Sequence, residues 1–224
     1  MAFEENPFMR ELRDLTQGKN EQSQKPEKRE WSQGLSDEVI SLVDFLKSSD
    51  NLGLIVDCGA GEGRHSIYIC EKGAKQVIAI EKDPEQITIL KNKKEAANLS
   101  NLEIIEGDVL KQLEQFEDNS IDAFIDSGMS HFLIDEEQRQ KFAGLIYSKL
   151  KPGGLYSITH FSEKEYYATD CYKANLDELK SLFPDSKWKQ LKPWYRSSWC
   201  NKEKGGHEHH AYKAVLQKTP EPEI

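Results

Sequence analysis

Short apolar runs alternate with amphipathic segments along most of the chain. Apolar residues at helical spacing predict helices that begin near Ser36, Ser66, Pro84, Val109, Asp135 and Leu176. The runs that predict strands are Leu52–Cys58, Gln76–Ile80, Leu102–Ile105, Ile121–Ile125, Leu155–Phe161, Trp188–Leu191 and His210–Leu216. Strands that alternate with helices form a parallel sheet covered on both faces. We therefore predict an α/β fold, Rossmann-like and doubly wound, with a mostly parallel seven-stranded sheet in a three-layer sandwich.

The two ends of the chain differ from this pattern. Residues 17–30 contain no apolar side chain, so they cannot form a core on their own. We expect residues 1–35 to be a flexible N-terminal arm that acts as a lid, residues 36–218 to be a single domain, and residues 219–224 to be a disordered tail.

Composition excludes several classes of protein. No apolar run approaches the roughly 20 residues that a membrane helix needs, and the N-terminus interleaves acids with arginines, unlike a signal peptide. The four cysteines are far apart and form no CxxC pair, which argues against a disulfide framework. These features predict a cytoplasmic protein without a membrane partner.

The charge distribution argues against nucleic acid as a partner. The net charge is −9, and residues 163–218 carry only a mild basic bias of 11 bases against eight acids. A protein that binds a polyanion is expected to present a basic face, because phosphate contacts dominate that affinity. No nucleic acid is therefore expected.

The most specific segment reads LIVDCGAGEGRH over residues 54–65, a strand that enters a glycine turn and then a helix. A dinucleotide-binding turn would place its third glycine at position 64, where this chain has Arg64, with Gly63 one residue early. Asp57 precedes the first glycine by two residues. A carboxylate there would repel a pyrophosphate and suit an ammonium group, so an NAD-dependent oxidoreductase is disfavoured.

This segment resembles the glycine turn of the class I S-adenosylmethionine-dependent methyltransferases, and further matches follow in the family's order. Glu81 ends the second strand, Asp108 follows the third, Asp126 ends the fourth, and Lys151-Pro-Gly-Gly precedes the fifth. The resemblance implies S-adenosyl-L-methionine as the cofactor and S-adenosyl-L-homocysteine as its product. A glycine turn in an unrelated α/β protein is the alternative.

The resemblance also implies roles for individual residues. Glu81 would accept both ribose hydroxyls, Asp108 the adenine amino group, and the stem of Lys82 would pack on adenine, where an apolar residue is more usual. Glu81 could instead be a solvated strand end, and Asp108 a helix cap, which is compatible with binding. The full predicted cofactor set is Trp31, Asp57, Gly59, Ala60, Gly61, Gly63, Arg64, Glu81, Lys82, Gly107, Asp108, Val109 and Asp126.

The loop after the fourth strand bears on the methyl acceptor. It reads Asp126-Ser-Gly-Met-Ser-His131, which lacks the Pro-Pro-Tyr pattern of enzymes that methylate amides or base amines. Asp126, Gly128 and His131 are similar to the small-molecule methyltransferases of the thiopurine, thiol and tellurite type. Asp126 and His131 are the predicted catalytic residues, although His131 could equally be structural rather than a general base.

No metal site is expected. Thr159-His-Phe-Ser lacks the acidic pair that a catechol-type enzyme uses, and the 205–210 cluster of glycines and histidines matches no zinc spacing. That cluster is more typical of a surface turn that enters the last strand.

The sequence thus predicts a methyltransferase with a small-molecule acceptor, a thiol or another soft nucleophile being favoured. Two alternatives remain open. One is a protein methyltransferase in which residues 162–207 dock a polypeptide, and the other is a non-catalytic S-adenosylmethionine-binding module. We expect a monomer or a weak homodimer.

Overall fold

The computed structural model describes residues 34–201 and 207–220. Residues 1–33 of the predicted arm, Trp31 among them, lie outside the described residues, as do residues 221–224 of the predicted tail. The first described residues, Gly34 and Leu35, lead directly into a helix. At the other end, the amide and hydroxyl of Thr219 donate to the carbonyl of Lys187 at 3.0 and 2.8 Å.

Seven strands and six α-helices make up this part of the chain. The strands are β1 (Leu54–Cys58), β2 (Gln76–Glu81), β3 (Leu102–Glu106), β4 (Ile121–Ser127), β5 (Leu150–Phe161), β6 (Trp188–Asn201) and β7 (His207–Lys218). The helices are α1 (Asp37–Ser48), α2 (Arg64–Glu71), α3 (Pro84–Ala96), α4 (Val109–Leu113), α5 (Glu136–Lys149) and α6 (Leu176–Leu182). A short 3₁₀ turn, Ser130–Phe132, follows β4.

The strands form one mixed sheet in the order β3-β2-β1-β4-β5-β7-β6. Strands β1 to β5 are parallel, and β7 runs antiparallel to both β5 and β6. The predicted Rossmann-like, mostly parallel seven-stranded sheet is confirmed. Strand order reverses at β1, between β2 and β4, and ligands of such sheets bind at the carboxyl ends of the strands beside this point.

Both faces of the sheet are buried. Val56, Ile78 and Phe124 belong to one core cluster, together with residues of α4 and α5 such as Leu113 and Ile146. The intervening residues of β1 and β2 are fully buried as well, and a period of two places them on the opposite face. A sheet covered on both sides is what near-continuous apolar strands predict.

Side chains fix several helix starts near the carboxyl edge of the sheet. Asp83 accepts from the amide of Glu85 at 2.8 Å and begins α3, and Asp108 accepts from the amide of Lys111 at 3.2 Å and begins α4. Ser36 precedes α1 as predicted, but its hydroxyl makes no cap and lies 3.2 Å from that of Ser127 instead.

Strand β6 is longer than the sequence predicts. The apolar pattern ended it at Leu191, whereas it runs to Asn201 and pairs with β7 along that length. Two register shifts, between Gln190 and Lys192 and between Lys192 and Tyr195, break the alternation of inward and outward residues. Pro193 lies within the second shift, as is common for proline on an edge strand. The 207–210 segment, predicted as a surface turn, likewise belongs to β7.

Gly63 and Gly73 provide a matched pair of variants that tests the packing around the turn after β1. Both have positive φ angles, +80° and +95°. A Cβ on Gly63 would lie 2.0 Å from Cδ1 of Leu90, which is fully buried, whereas one on Gly73 meets nothing within 4 Å. We expect Gly63→Ala to lower the free energy of unfolding in urea by about 2–4 kcal/mol and Gly73→Ala by about 1–2 kcal/mol. Equal losses would contradict the role of Leu90.

Candidate functional site

The glycine loop joins β1 to α2 and leaves its backbone open at one point. The φ angles are +70°, +54° and +80° at Gly59, Gly61 and Gly63. The amides of Gly59 and Ala60 donate to the carbonyl of Ile80 at 2.9 and 3.0 Å, which ties the loop to the end of β2. A Cβ on Gly61 would meet nothing nearer than Oε1 of Gln86 at 3.8 Å. A ligand can therefore approach the chain closely at Gly61.

Asp57 lies buried at the end of β1, with 2% of its surface exposed. The hydroxyl of Ser66, in the first turn of α2, donates to Oδ2 of Asp57 at 2.6 Å. Burial raises the pKa of Asp57 to about 6, although the hydrogen bonds of Ser66 and the charge of Arg64 oppose the shift. The buried carboxylate gives the end of β1 a negative charge, which favours a cationic ligand group nearby.

Glu81 holds the glycine loop at the end of β2. Its Oε2 accepts from the amide of Gly61 at 2.7 Å, and its Oε1 accepts from the amides of Lys82 and Asp83 at 2.8 and 2.9 Å. Each carboxylate oxygen has two acceptor positions, so Oε2 keeps one for a ligand. The sequence pattern did not predict that Glu81 holds the glycine loop, because Glu81 and Gly61 are 20 residues apart in the chain.

The end of β3 contributes a second acid. Gly107 has a φ of +155°, and its amide donates to the carbonyl of Glu81 at 2.8 Å, so the ends of β2 and β3 stay together. Asp108 caps α4, as one of its two predicted roles requires, and it also borders a cleft with Val109.

A cleft of about 620 Å³ lies over these strand ends, and we call it the glycine-loop cleft. Its lining includes seven residues of the predicted cofactor set: Gly59, Gly61, Glu81, Lys82, Gly107, Asp108 and Val109. The glycine-loop cleft is not lined by the other described members of that set, which are Asp57, Ala60, Gly63, Arg64 and Asp126. The sequence missed the apolar lining residues Leu110, Met129, Phe132 and Leu133 and the polar Asp83 and Gln86. These residues lie in loops and at helix starts, and no sequence motif marks them as ligand contacts.

Asp126 shapes the loop after β4. It is fully buried, and its Oδ1 accepts from the amides of Met129 and Ser130 at 2.8 and 3.0 Å. The hydroxyl of Tyr156, also buried, donates to Oδ2 at 3.0 Å. These three bonds direct the carboxylate toward the protein, so its geometry is that of a positioning residue.

His131 closes the same loop and is 5% exposed. Its ring stacks on Phe161, with centroids 4.2 Å apart and planes 18° apart. Burial, followed by the neighbouring His160, lowers the pKa of His131 to about 3. The imidazole is therefore neutral at pH 7, and its Nδ1 has no hydrogen-bond partner among the described residues.

A second cleft, of about 710 Å³, includes His131 in its lining, and we call it the His131 cleft. Arg64, Thr159, Phe161 and Trp199 also line it. Gly128 lines both clefts, so the loop from Ser127 to His131 lies between them. The sequence predicted that Arg64 binds the cofactor together with the glycines of the turn. In the structure Arg64 lines the His131 cleft and not the glycine-loop cleft.

A cluster of charges forms part of the His131 cleft where α1 meets β7. The ammonium of Lys213 lies 3.1 Å from a carboxylate oxygen of Asp37 and 3.1 Å from one of Glu38. Lys192 and the hydroxyl of Tyr195 also donate to Asp37, at 2.7 and 2.5 Å. Partial burial by itself raises the pKa of Asp37, but the hydrogen bonds from Lys192, Tyr195 and Lys213 have the larger effect. The pKa of Asp37 therefore lies below its ordinary value. Burial raises the pKa of Glu38 despite the charge of Lys213.

Within residues 34–201 and 207–220, no group of three or more His, Cys, Asp or Glu side chains is arranged to hold a metal ion. None of the helices described there is long and apolar enough to cross a membrane.

Part of the chain matches a known family. Residues 55–154 match a family described as a methyltransferase domain. A probable ribosomal RNA small subunit methyltransferase A from Methanosphaera stadtmanae is 47% identical over 57 residues, covering 25% of this chain and 21% of that protein. A probable cobalt-precorrin-6B C(15)-methyltransferase from Sulfolobus acidocaldarius is 29% identical over 104 residues, covering 45% and 49%. The chain thus spans less than half the length of these relatives.

Solved structures show the same fold at low sequence identity. TehB from Haemophilus influenzae superposes with a TM-score of 0.69 and 17% identity, covering 86% of this chain and 65% of that one. A methyltransferase from Methanosarcina mazei gives a TM-score of 0.62 and 18% identity, covering 75% and 93%. The predicted class I methyltransferase fold is confirmed.

The raised pKa of Asp57 predicts a pH-dependent stability. Its ordinary value of 3.8 applies in the unfolded chain, so the folded protein binds a proton more readily between pH 3.8 and about 6. The stability that the protonated carboxyl contributes to the folded protein is fully present below pH 3.8 and is lost as the pH rises through about 6. We expect Asp57→Asn to gain up to about 3 kcal/mol of stability relative to the native chain between pH 4 and 7, in urea titrations. A difference that does not change with pH would contradict the burial of a titrating carboxyl.

Proposed function

We propose that this chain, a class I S-adenosylmethionine-dependent methyltransferase by its domain at residues 55–154, methylates a small molecule bearing a thiol or another soft nucleophile. The observation that carries the proposal is the pair of clefts that meet at Gly128. Each has the volume of a small-molecule site. Donor and acceptor could therefore lie on opposite sides of one short loop.

The residues of the glycine-loop cleft fit the cofactor. Gly61 is open to close approach, Glu81 retains an acceptor position for a ribose hydroxyl, and Asp108 and Val109 offer a carboxylate and a backbone amide for adenine. Lys82 also lines this cleft, so its stem is available to pack on a base. When bound, S-adenosylmethionine supplies an electrophilic methyl group on a positively charged sulfur.

The charged groups near the start of α2 fit the amino-acid end of the cofactor. Asp57 supplies a buried negative charge that suits an ammonium group. Arg64 lies on the other side of the loop, in the lining of the His131 cleft, and makes no ion pair within the described part of the chain. Its guanidinium suits a cofactor carboxylate that extends past Gly128 to that side. An ammonium would in turn favour the ionised form of Asp57.

The state of His131 favours an acceptor that ionises without help. A histidine whose pKa is about 3 is a weak proton acceptor at pH 7, so it contributes little as a general base. A thiol with a pKa of about 8.5 already provides some thiolate at neutral pH. The loop from Ser127 to His131 would then contribute by aligning such a thiolate with the methyl group that the cofactor supplies when bound. Of the two predicted roles of His131, we favour the structural one.

Relatives of the chain do not decide between acceptors. Their names describe a ribosomal RNA methyltransferase and a cobalt-precorrin methyltransferase, so nucleic acid and small molecules are both represented. The acceptor proposed here follows from the His131 cleft, whose volume of about 710 Å³ suits a small molecule. Protein methylation and cofactor binding without catalysis are alternative outcomes of the test below.

The test is a panel of acceptors that differ in the reacting atom. Purified protein with S-adenosylmethionine is offered thiophenol, cyclohexanethiol, phenol, aniline and a metalloid oxyanion, and release of S-adenosylhomocysteine is measured above the uncatalysed rate. We expect the thiols to react at least tenfold faster than phenol or aniline. Glu81→Gln, which weakens the donor site, should lower all these rates in the same proportion.

Three results would contradict the proposal. A faster reaction with aniline would assign a nitrogen acceptor. Methyl transfer into a protein band of a lysate, with no small-molecule product, would establish a protein acceptor. Binding of S-adenosylhomocysteine without transfer to any partner would leave a non-catalytic module.

A further inference from the structure

Four aromatic rings lie side by side where β5, β7 and β6 meet the His131 cleft. Phe161 lies between His131 and Trp199, with centroids 4.2 and 6.2 Å away and planes within 18° of both. His209 lies 6.0 Å from Phe161 and 5.5 Å from Trp199. Strand register produces this row, because Trp199 pairs with His209 and Phe161 pairs with the residue two positions further along β7.

The row leaves aromatic surface available to a ligand. Trp199 is 39% exposed, and Phe161 is partly exposed. Both line the His131 cleft together with His131 itself. Phe161 is stacked between His131 and Trp199, so the ring that offers its surface to the cleft is Trp199. A further ring gains by stacking on it in an offset arrangement.

Apart from Arg64, the charged side chains of the cleft are already paired. Lys213 is paired with Asp37 and Glu38, so this cluster demands no counter-charge from a ligand. Arg64 is assigned above to the carboxylate of the cofactor. Ser197 lines the cleft with a hydroxyl group, and the hydroxyl of Thr159, which donates to Glu38, can still accept a hydrogen bond. The wall therefore favours an uncharged ring whose substituents form hydrogen bonds.

We propose that the His131 cleft takes a flat, uncharged aromatic ring, stacked on Trp199 at the end of the aromatic row, as the framework of the methyl acceptor. This inference rests on the proposed function, because it assigns the cleft to the acceptor. Gly128 borders both clefts, so a ring on this wall would lie beside the loop that separates it from the donor. The specificity would come from Trp199, which is partly exposed and lines the cleft.

The test compares two probes of similar size and apolar character. Binding of 2-naphthol and of its saturated analogue, decahydro-2-naphthol, is measured by calorimetry on the full chain, with and without S-adenosylhomocysteine. We expect 2-naphthol to bind about three- to tenfold more tightly, the range that an aromatic pair contributes beyond its area. Trp199→Leu should abolish this preference, and Trp199→Phe should retain most of it.

Tyr166→Leu is the matched control, because Tyr166 is 81% exposed and outside the lining of the cleft. It should leave the preference for 2-naphthol unchanged. Circular dichroism checks that Trp199→Leu is folded, and the Trp199→Phe variant tests the same contact with less change in volume. Equal binding of the two probes, or a preference that survives Trp199→Leu, would overturn the inference.

These titrations need no methyl transfer. If no acceptor is methylated but the preference for 2-naphthol depends on Trp199, the proposed function fails while the ring site stands. If thiols are methylated and the saturated probe binds as well as 2-naphthol, the ring site fails and the proposed function stands.

Discussion

The buried carboxylate of Asp126 is the constraint on which the arrangement of the site depends. It accepts hydrogen bonds from the amides of Met129 and Ser130 and from the hydroxyl of Tyr156, all at or below 3.0 Å. A buried carboxylate is costly unless its lone pairs are satisfied, and these donors are supplied by the loop itself and by the neighbouring strand β5. These bonds hold the loop, whose residue Gly128 lines both clefts. In the proposed function, the relative placement of donor and acceptor would therefore depend on the hydrogen bonds of Asp126 behind the loop.

The two sides of this loop are built in different ways. On the donor side, strands β1 to β4 present acids and glycines at their carboxyl ends, and the contact between Glu81 and Gly61 joins two of them. On the other side, the antiparallel pair β6 and β7 extends the sheet and carries the aromatic row and the Lys213 cluster. The parallel part thus suits a charged, hydroxyl-rich cofactor, whereas the antiparallel extension varies the surface offered to an acceptor. Asp37, at the start of α1, bonds to Lys192 of β6 and Lys213 of β7, so the extension is attached to the rest of the domain.

The parallel sheet and the glycine loop could be predicted because their signals are local. A buried strand is a continuous apolar run, and the positive φ angles of Gly59 and Gly63 explain why glycine stands there. The bulged edge strand could not be predicted past Leu191, since its register shifts erase the alternation on which strand prediction depends. The aromatic row could not be predicted either, because Phe161 of β5 and Trp199 of β6 become neighbours only through the pairing of both strands with β7. Asp126 was placed correctly at the end of β4, but its bonds to the loop amides and to Tyr156 depend on burial, which spacing alone does not reveal.

The most direct test of this account is a crystal structure of the protein with S-adenosylhomocysteine bound. We predict adenosine in the glycine-loop cleft, with the ribose hydroxyls hydrogen-bonded to Glu81 and the base beside Asp108. The sulfur should lie next to Gly128 and face the His131 cleft, with the loop from Ser127 to His131 unchanged. Adenosine bound in the His131 cleft, or a sulfur that faces away from Gly128, would contradict the assignment of the two clefts to donor and acceptor.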